Sequence, residues 1–279
     1  MPFKIDDLQR AFLAYKQFQK RALRPYDERY IFPFFAGSYF AYRKVDVARI
    51  VAIANSISSV PFYIDVGCGY GDFLNKIREF IPDAIGIEKE KNIFFALNKP
   101  IPDYIYSIPI ECFEKKKFDV AFVGWMEPGV DFRKNVAQSA KCVITTFDSG
   151  GQCGVNGGCE YDEFGFDEIA WWRTPSWIDV NYELMNRFYT DSIATNELKK
   201  RELAKFRSAH NFWYVYAKPE VYDDAKNGLK MCLEEERGGL HCNDNYDFES
   251  VLDECGFHYT EELMTVRTCK LLWNVKFAR

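Results

Sequence analysis

From residue 62 to residue 147 the chain alternates short apolar runs with stretches of helical periodicity. Such short runs are typical of strands that are buried on both faces of a sheet. A strand that is followed by a helix and then by another strand predicts a parallel pair with a right-handed crossover. The pattern therefore predicts an open, doubly wound α/β sheet whose first five strands lie at 62–66, 84–88, 103–108, 118–125 and 141–147.

The remaining segments are expected to surround this core. Residues 1–44 combine a helical pattern with many aromatic side chains, which predicts an N-terminal helical cap, or lid. Residues 45–279 are predicted to form one domain with an insertion at about 149–245, part of which, 211–217, has the pattern of a strand. Two strand-like runs near the end would complete a mostly parallel, seven-stranded sheet. The Gly- and acid-rich stretch 150–168 predicts a loop or a mobile segment.

Composition narrows the class of protein. No apolar stretch reaches about 18 residues, so we expect no transmembrane helix, and the N-terminus lacks the apolar segment of a secretory signal. Nine cysteines without a Cys-x-x-Cys pair favour reduced thiols and a cytoplasmic protein. Five residues separate Cys153 from Cys159, a spacing that does not match a structural zinc site, and we predict no metal site.

The stretch Asp65-Val-Gly67-Cys-Gly69-Tyr-Gly71 connects the first predicted strand to the first helix. Glycines in such a turn let the backbone approach a ligand closely, because no Cβ intervenes. The dinucleotide fingerprint Gly-x-Gly-x-x-Gly does not fit, because aspartate occupies position 72, where the third glycine would stand. The alternative is a tight turn of some other α/β protein, without a ligand.

This spacing of one acid and three glycines resembles the first motif of the class I S-adenosylmethionine-dependent methyltransferases. The resemblance extends to an acid at the end of the second strand, Glu88, which in that family binds the ribose hydroxyls. It implies a Rossmann-like methyltransferase fold and S-adenosylmethionine as cofactor. It also implies an adenine contact near Ser107 to Glu111. The implied cofactor-binding residues are Asp65, Gly67, Cys68, Gly69, Gly71, Glu88 and Gly124.

The loop after the fourth strand, Gly124-Trp-Met-Glu-Pro-Gly129, lies where such an enzyme would bind its substrate. It lacks the Asp/Asn-Pro-Pro-aromatic sequence of methyltransferases that act on exocyclic amines of DNA bases. Our candidate catalytic residues are Glu127, as a general base, and Trp125, as a wall of the pocket. Their alternative interpretations are a solvated loop acid and a core residue.

We therefore expect an enzyme that transfers a methyl group to an oxygen or nitrogen of a small molecule. Two alternatives stay open: a methyltransferase acting on RNA or protein, and a non-catalytic S-adenosylmethionine-binding partner subunit. A basic helix predicted at 196–209 is the feature that favours RNA, whereas the net charge of −5 disfavours a wholly basic nucleic-acid binder. No membrane partner is expected, and the oligomeric state is left open.

Overall fold

The structure is a computed structural model that describes residues 42, 44–91, 100–113, 117–124, 126–127, 129–148, 153–155, 158–174, 211–237 and 275–279. Most of them belong to one of the two compact units into which the chain divides, that of Lys44–Trp172, Phe212–Asn243 and Asn274–Arg279. The predicted N-terminal cap and the helices predicted at 89–98, 196–209 and 248–257 lie outside the described residues, apart from a few at their ends. The division into cap, domain and insertion stays a prediction.

A sheet of eight strands forms the centre of the described part of the chain. The strands are β1 (Tyr63–Val66), β2 (Ile85–Ile87), β3 (Ile105–Tyr106), β4 (Phe118–Gly124), β5 (Ala140–Asp148), β6 (Asp167–Thr174), β7 (Asn211–Ala217) and β8 (Lys276–Phe277). The described helices are α1 (Lys44–Ile57), α2 (Asp72–Arg78), α3 (Arg133–Ser139) and α4 (Tyr222–Arg237). Short 3-10 helices lie at Ile110–Cys112, Asp162–Phe164 and Pro219–Val221.

The strands lie in the order β3-β2-β1-β4-β5-β7-β6-β8. All four pairs among the first five strands in this order are parallel, and Ile64 of β1 lies between Ile85 of β2 and Ala121 of β4. Every residue of β1 is buried, which is why its sequence shows no alternation and is apolar except for Asp65. The structure thereby confirms the predicted mostly parallel α/β sheet.

The sheet has eight strands rather than the predicted seven. The strand that was not predicted is β6, which lies within the stretch assigned to the insertion and ends just before Pro175. A proline cannot donate a hydrogen bond to a neighbouring strand, so Pro175 within the aromatic run made the sequence look unlike a strand. The predicted strand at 211–217 is confirmed as β7. Of the two runs near the end, β8 pairs antiparallel with β6, and the run at 258–266 lies outside the described residues.

Two layers of side chains cover the sheet. On one face the indole of Trp172 stacks on that of Trp213 with ring centroids 5.7 Å apart, and Trp213 stacks on Phe122 at the same distance. The indole N–H of Trp172 donates to the buried carboxylate of Asp46 in α1, at 2.8 Å. On the other face, alternate residues of β4 join side chains of α3 in a second cluster.

The described part of the segment before β6, residues 153–155 and 158–166, is an irregular loop as predicted, and it is packed into the protein. Arg133, at the start of α3, donates to the carbonyl of Glu160 at 2.8 Å and forms an ion pair with Glu163 at 2.9 Å. The glycines give this segment an irregular backbone, but the side chains between them are apolar enough to join the core. Four of these side chains are buried in the second cluster: Cys153, Cys159, Tyr161 and Phe166.

Helices α1 and α4 approach each other closely at Gly228. A Cβ added to Gly228 would lie 2.6 Å from the Cβ of Ser56 and 2.8 Å from the carbonyl oxygen of Ala52. Glycine in the middle of a helix is about 1 kcal/mol less favourable than alanine. The close approach of the two helices is the physical reason for a glycine at this position.

Replacing Gly228 by alanine is therefore expected to destabilise the protein by about 1–3 kcal/mol, the usual cost of overpacking. The matched control is Asn227→Ala, because the neighbouring Asn227 is exposed on the same helix and should gain helix propensity without a clash. Urea denaturation measures both free energies of unfolding. A Gly228→Ala protein that is as stable as Asn227→Ala would contradict the packing described here.

Candidate functional site

The order of the strands creates a crevice at one edge of the sheet. β1 lies between β2 and β4, so the chain first extends the sheet on one side of β1 and later on the other. Ligands of open α/β sheets bind at such a switch point, outside the carboxyl ends of the strands. Neighbouring strands are about 4.8 Å apart, so the ends of β3, β2, β1 and β4 span roughly 14 Å. This edge has room for an elongated ligand.

The turn after β1 is held against β2 by its backbone. The amides of Gly67 and Cys68 both donate to the carbonyl of Ile87, at 2.8 and 3.1 Å. Gly67, Gly69 and Gly71 have φ angles of +77°, +58° and +83°. Residues with a Cβ rarely adopt this left-handed region, so the backbone of the turn requires all three glycines.

Two of these glycines differ in what a side chain would meet. A Cβ on Gly71 would lie 2.6 Å from Cδ1 of Ile105, so Gly71 lets α2 begin close against β3. A Cβ on Gly67 would have no atom of the described residues within 4 Å. Within the described part of the chain Gly67 therefore borders open space, and its missing Cβ leaves room for a ligand at the crevice.

Glu88, directly after β2, connects the turn to the neighbouring strand. Its Oε2 accepts a hydrogen bond from the amide of Gly69, and its Oε1 accepts one from the amide of Glu90, both at 2.9 Å. A carboxylate can accept about four hydrogen bonds, so about half of its capacity remains for a ligand. Burial raises the pKa of Glu88, and the two amide hydrogen bonds oppose this rise.

The end of β3 places Ser107 beside Glu88. The amide of Glu88 donates to the carbonyl of Tyr106 at 3.1 Å, and Ser107 is the next residue. The Oγ of Ser107 is buried without a hydrogen-bond partner among the described residues. A buried hydroxyl in that state costs free energy until a ligand or water bonds to it. The resemblance implies an adenine contact near Ser107 to Glu111, and within this segment the Ser107 hydroxyl is a group that could make it.

Three carboxylates surround the glycine turn. They belong to Asp65 in β1, Asp72 at the start of α2, and Glu88. Asp65 is only 2% exposed. Burial raises the pKa of Asp65 well above its usual range, and the charges of Asp72 and Glu88 raise that pKa further. Because the three acids lie close together, the ionised form of Asp65 is unfavourable at this turn.

Another buried acid of the sheet, Asp119, shows how such a charge is normally balanced. Its Oδ1 forms an ion pair with Nζ of Lys141 at 2.8 Å, and its Oδ2 accepts the amide of Phe62 at 3.0 Å. The charges that act on the pKa of Asp65 are instead those of two other acids, Asp72 and Glu88, and both raise it. A bound cation would supply a positive charge close to Asp65, where the neighbouring acids make one favourable.

Cys68 and Gly124 border the crevice mainly through their backbones. The thiol of Cys68 packs inward, because a Cβ on Gly86 of β2 would lie 2.6 Å from its Sγ. Burial raises the pKa of this thiol. A Cβ on Gly124, at the end of β4, would lie 3.0 Å from the ring of Phe122. Both positions leave the edge of the sheet free of a projecting side chain.

Glu127, the candidate base, lies in the loop after β4 and is exposed. Its Oε2 forms an ion pair with Nζ of Lys89 at 3.5 Å. Lys89 follows Glu88, so this pair connects the loops after β2 and β4 across the end of β1. The structure thus brings Glu127 to the same edge as the glycine turn. The second candidate, Trp125, lies outside the described residues.

Sequence reasoning did not identify the contributions of Asp72 and Lys89. Asp72 entered the sequence argument only as the residue that breaks the dinucleotide fingerprint, whereas in the structure its charge acts on Asp65. Lys89 directly follows Glu88, but its ion pair with Glu127 joins two loops 38 positions apart. No pattern within one segment could indicate such a contact.

Two further observations apply to the described residues only. No group of three or more His, Cys, Asp or Glu side chains there is arranged to hold a metal ion. Among the described helices, none is both long enough and apolar enough to cross a bilayer.

Comparison with known proteins gives no family model and no curated protein that matches this chain. Solved structures similar to it include class I S-adenosylmethionine-dependent methyltransferases. StiE O-MT (residues 961–1257) is 8% identical, over 69% of this chain and 80% of that one, with a TM-score of 0.41. The plantazolicin methyltransferase BpumL, solved with a monoazolic desmethylPZN analogue and SAH, is 12% identical over 62% of this chain and 83% of that one, with a TM-score of 0.36. The [4+2]-cyclase SpnF is 13% identical over 63% and 80%, also at 0.41. All three TM-scores are below 0.5, too low for these similarities to bear on what this chain does.

Proposed function

We propose that this chain is an S-adenosylmethionine-dependent methyltransferase. The observation that carries the proposal is the set of three acids, Asp65, Asp72 and Glu88, around a glycine turn with open space at Gly67. A buried acid whose pKa is raised by burial and by other acids is best stabilised by a cationic ligand. S-adenosylmethionine is positively charged at both its sulfonium and its amino group, which fits this requirement.

In this proposal, residues along the crevice would bind successive parts of the cofactor. Gly67 and Gly69 would border its amino-acid part, with Asp65 attracting the amino group. Glu88 has free acceptor capacity for two ribose hydroxyls, and Ser107 offers a hydroxyl at the far end. When bound, the cofactor supplies an electrophilic methyl group. The chain's own task is to position the acceptor in line with that group and to exclude water.

The same acids argue against a dinucleotide. The pyrophosphate of a nicotinamide or flavin dinucleotide is anionic, and three acids at the turn would repel it. The strand order points in the same direction. A dinucleotide-binding sheet has the order 3-2-1-4-5-6, whereas here β7 lies between β5 and β6. The charge of the turn and the strand order thus both disfavour a dinucleotide site.

We further propose that the acceptor is an oxygen or nitrogen of a small molecule, with Glu127 as the base. Glu127 supports this because its exposed carboxylate lies beside the crevice and is held by Lys89 at 3.5 Å. A carboxylate in this place can accept the proton of a hydroxyl or ammonium nucleophile when the methyl group is transferred. Methylation of RNA or protein stays the alternative within the same chemistry.

Isothermal titration of the protein with S-adenosylmethionine and, in parallel, with NADH tests the cofactor. We expect binding of the former and none of the latter. Replacing Glu88 by glutamine should weaken S-adenosylmethionine binding at least tenfold, about 1.4 kcal/mol, because an amide offers one acceptor oxygen in place of two. Glu79→Gln is the matched control, because Glu79 is an exposed acid that pairs with Lys76 at 3.0 Å. Binding of NADH, or equal affinities of the two variants, would overturn the proposal.

A further inference from the structure

A row of three lysines lies along the edge of the sheet that is opposite the crevice. Lys117 directly precedes β4, Lys141 is the second residue of β5, and Lys218 directly follows β7. These strands are neighbours: Phe118 pairs with Ala140, and the amide of Lys218 donates to the carbonyl of Lys141 at 2.9 Å. We call Lys117, Lys141 and Lys218 the lysine row. Because neighbouring strands are about 4.8 Å apart, the row spans roughly 10 Å.

The side chains of the lysine row lie on the face of the sheet that α3 covers. Nζ of Lys117 donates to the carbonyl of Gln138 in α3 at 3.2 Å. Nζ of Lys218 lies 5.3 Å from the ring centroid of Phe166, which belongs to the core cluster on that face. The middle lysine comes two residues before Val143 of the same cluster, and alternate residues of a strand point to one face. The three ammonium groups are therefore presented on one side.

The ammonium groups are accessible and have donors to spare. Lys117 is exposed, and the side chain of Lys141 is 41% exposed. An ammonium group has three donors. In the described structure Lys117 uses one of them for the carbonyl of Gln138, and Lys141 uses one for Asp119, at 2.8 Å. Donors therefore remain for the oxygens of a bound anion.

Nearby acids balance only part of the charge of the lysine row. Asp119 pairs with Lys141. Burial lowers the pKa of Lys218, the charge of Lys117 lowers it further, and the charge of Glu220 opposes both effects. Lys117 and Lys218 therefore repel one another, and an anion bound between them would relieve the repulsion. Lys117 is also the last of three consecutive lysines, of which the other two lie outside the described residues.

We propose that the lysine row is a binding site for the backbone phosphates of a nucleic-acid strand, through contacts that do not depend on the base sequence. Lysine binds phosphate as a point charge. Phosphates follow one another at about 3.4 Å along the axis of a stacked strand, so the row matches about three of them. The proposal is independent of the proposed methyltransferase activity, because the row and the crevice lie at opposite ends of β4, roughly 20 Å apart.

The surroundings of the lysine row favour a nucleic-acid strand over a membrane or a protein. The exposed acids Asp83 and Asp103 precede β2 and β3, so they lie at the same edge of the sheet, beyond β1. A flat anionic membrane would meet these acids together with the lysines, whereas a narrow strand can follow the lysines alone. A protein partner would need an apolar centre, and the large exposed hydrophobic side chains of the described residues do not belong to β4, β5 or β7.

Fluorescence anisotropy with a labelled oligouridylate of about ten nucleotides tests the proposal on the full chain, without cofactor. The logarithm of the affinity should fall linearly with that of the salt concentration, with a slope of about −2 for three phosphate contacts. Lys117→Gln combined with Lys218→Gln should weaken binding at least tenfold at about 50 mM salt and leave a slope of about −0.7. Lys141 stays in place, because its removal would leave Asp119 without its ion pair.

The matched control is Lys226→Gln combined with Lys230→Gln. It removes the same charge from α4, which packs on α1 on the other face of the sheet, and it should bind the oligouridylate like the original protein. Urea denaturation checks that both double variants are folded, and Lys117→Gln alone, at an exposed position, should take about 0.7 off the slope.

Equal affinities and slopes for the two double variants would contradict the proposal, as would the absence of binding by the original protein. Vesicles of phosphatidylserine and phosphatidylcholine provide the second arm of the experiment. Vesicle binding that depends on Lys117 and Lys218, without binding of the oligouridylate, would refute a nucleic-acid site and make the lysine row a membrane contact.

Discussion

Replacing Gly67 by alanine is expected to abolish S-adenosylmethionine binding while the protein stays folded. The φ of +77° and the absence of described atoms within 4 Å of the added Cβ mean that this methyl group clashes with no described part of the protein. It would instead occupy the space that the proposal gives to the cofactor. We expect at least a hundredfold loss of affinity, about 2.7 kcal/mol, measured by calorimetry.

Gly165 provides a matched control for this experiment. It has the same φ of +77°, and a Cβ there would also have no described atom within 4 Å, but it lies between a 3-10 helix and β6. Alanine at either position therefore carries the same backbone strain, about 1–2 kcal/mol. The two variants should lose similar stability in urea denaturation, whereas only Gly67→Ala should lose cofactor binding. Equal affinities for S-adenosylmethionine in the two variants would contradict a ligand at Gly67.

The elements that the sequence predicts well are those whose pattern is local. β1 and β4 are short apolar runs next to glycine turns or helices, and both are buried along almost their whole length. The tight turn after β1 could be predicted as well, because glycine is the residue that adopts left-handed φ angles without strain, and three glycines stand there. In such places the residue types and their spacing already contain the physical reason for the structure.

The features that the sequence does not reveal depend on contacts between distant segments. The sequence of β6 contains adjacent tryptophans and charged residues, and its place in the sheet is explained only by partners such as Trp213 and Asp46. The burial of Cys153 and Cys159 depends in the same way on a core that α3 and β7 help to build. The charge around Asp65 combines three acids from separate elements. A single sequence does not show which charges meet.

Asp65→Asn is expected to make the unliganded protein more stable and, at the same time, to weaken S-adenosylmethionine binding at least tenfold, about 1.4 kcal/mol. Burial raises the pKa of Asp65 well above its usual range, and Asp72 and Glu88 raise it further, so its ionised form is unfavourable in the folded protein. Asparagine has nearly the same shape and no charge. A gain of about 1 kcal/mol would raise the melting temperature by roughly 2–4 °C. Asp83→Asn, at an exposed position, removes the same charge and should change neither quantity.

The stability and the cofactor affinity of the protein should depend on pH in opposite directions, which a merely structural role of Asp65 would not produce. The folded-state pKa of Asp65 lies above the unfolded value, so its contribution to stability is present at low pH and is lost as the pH rises through the folded pKa. The stability difference between Asp65→Asn and the original protein should therefore grow with pH and disappear in acid.

Cofactor binding by the original protein should strengthen with rising pH, whereas its stability falls. A cation prefers the ionised carboxylate, so the original protein should bind S-adenosylmethionine more tightly as the pH rises through that pKa, and Asp65→Asn should show little pH dependence there. If instead both proteins bound the cofactor equally at every pH, Asp65 would be a buried acid without a ligand, and the charge argument for a cationic cofactor would fail.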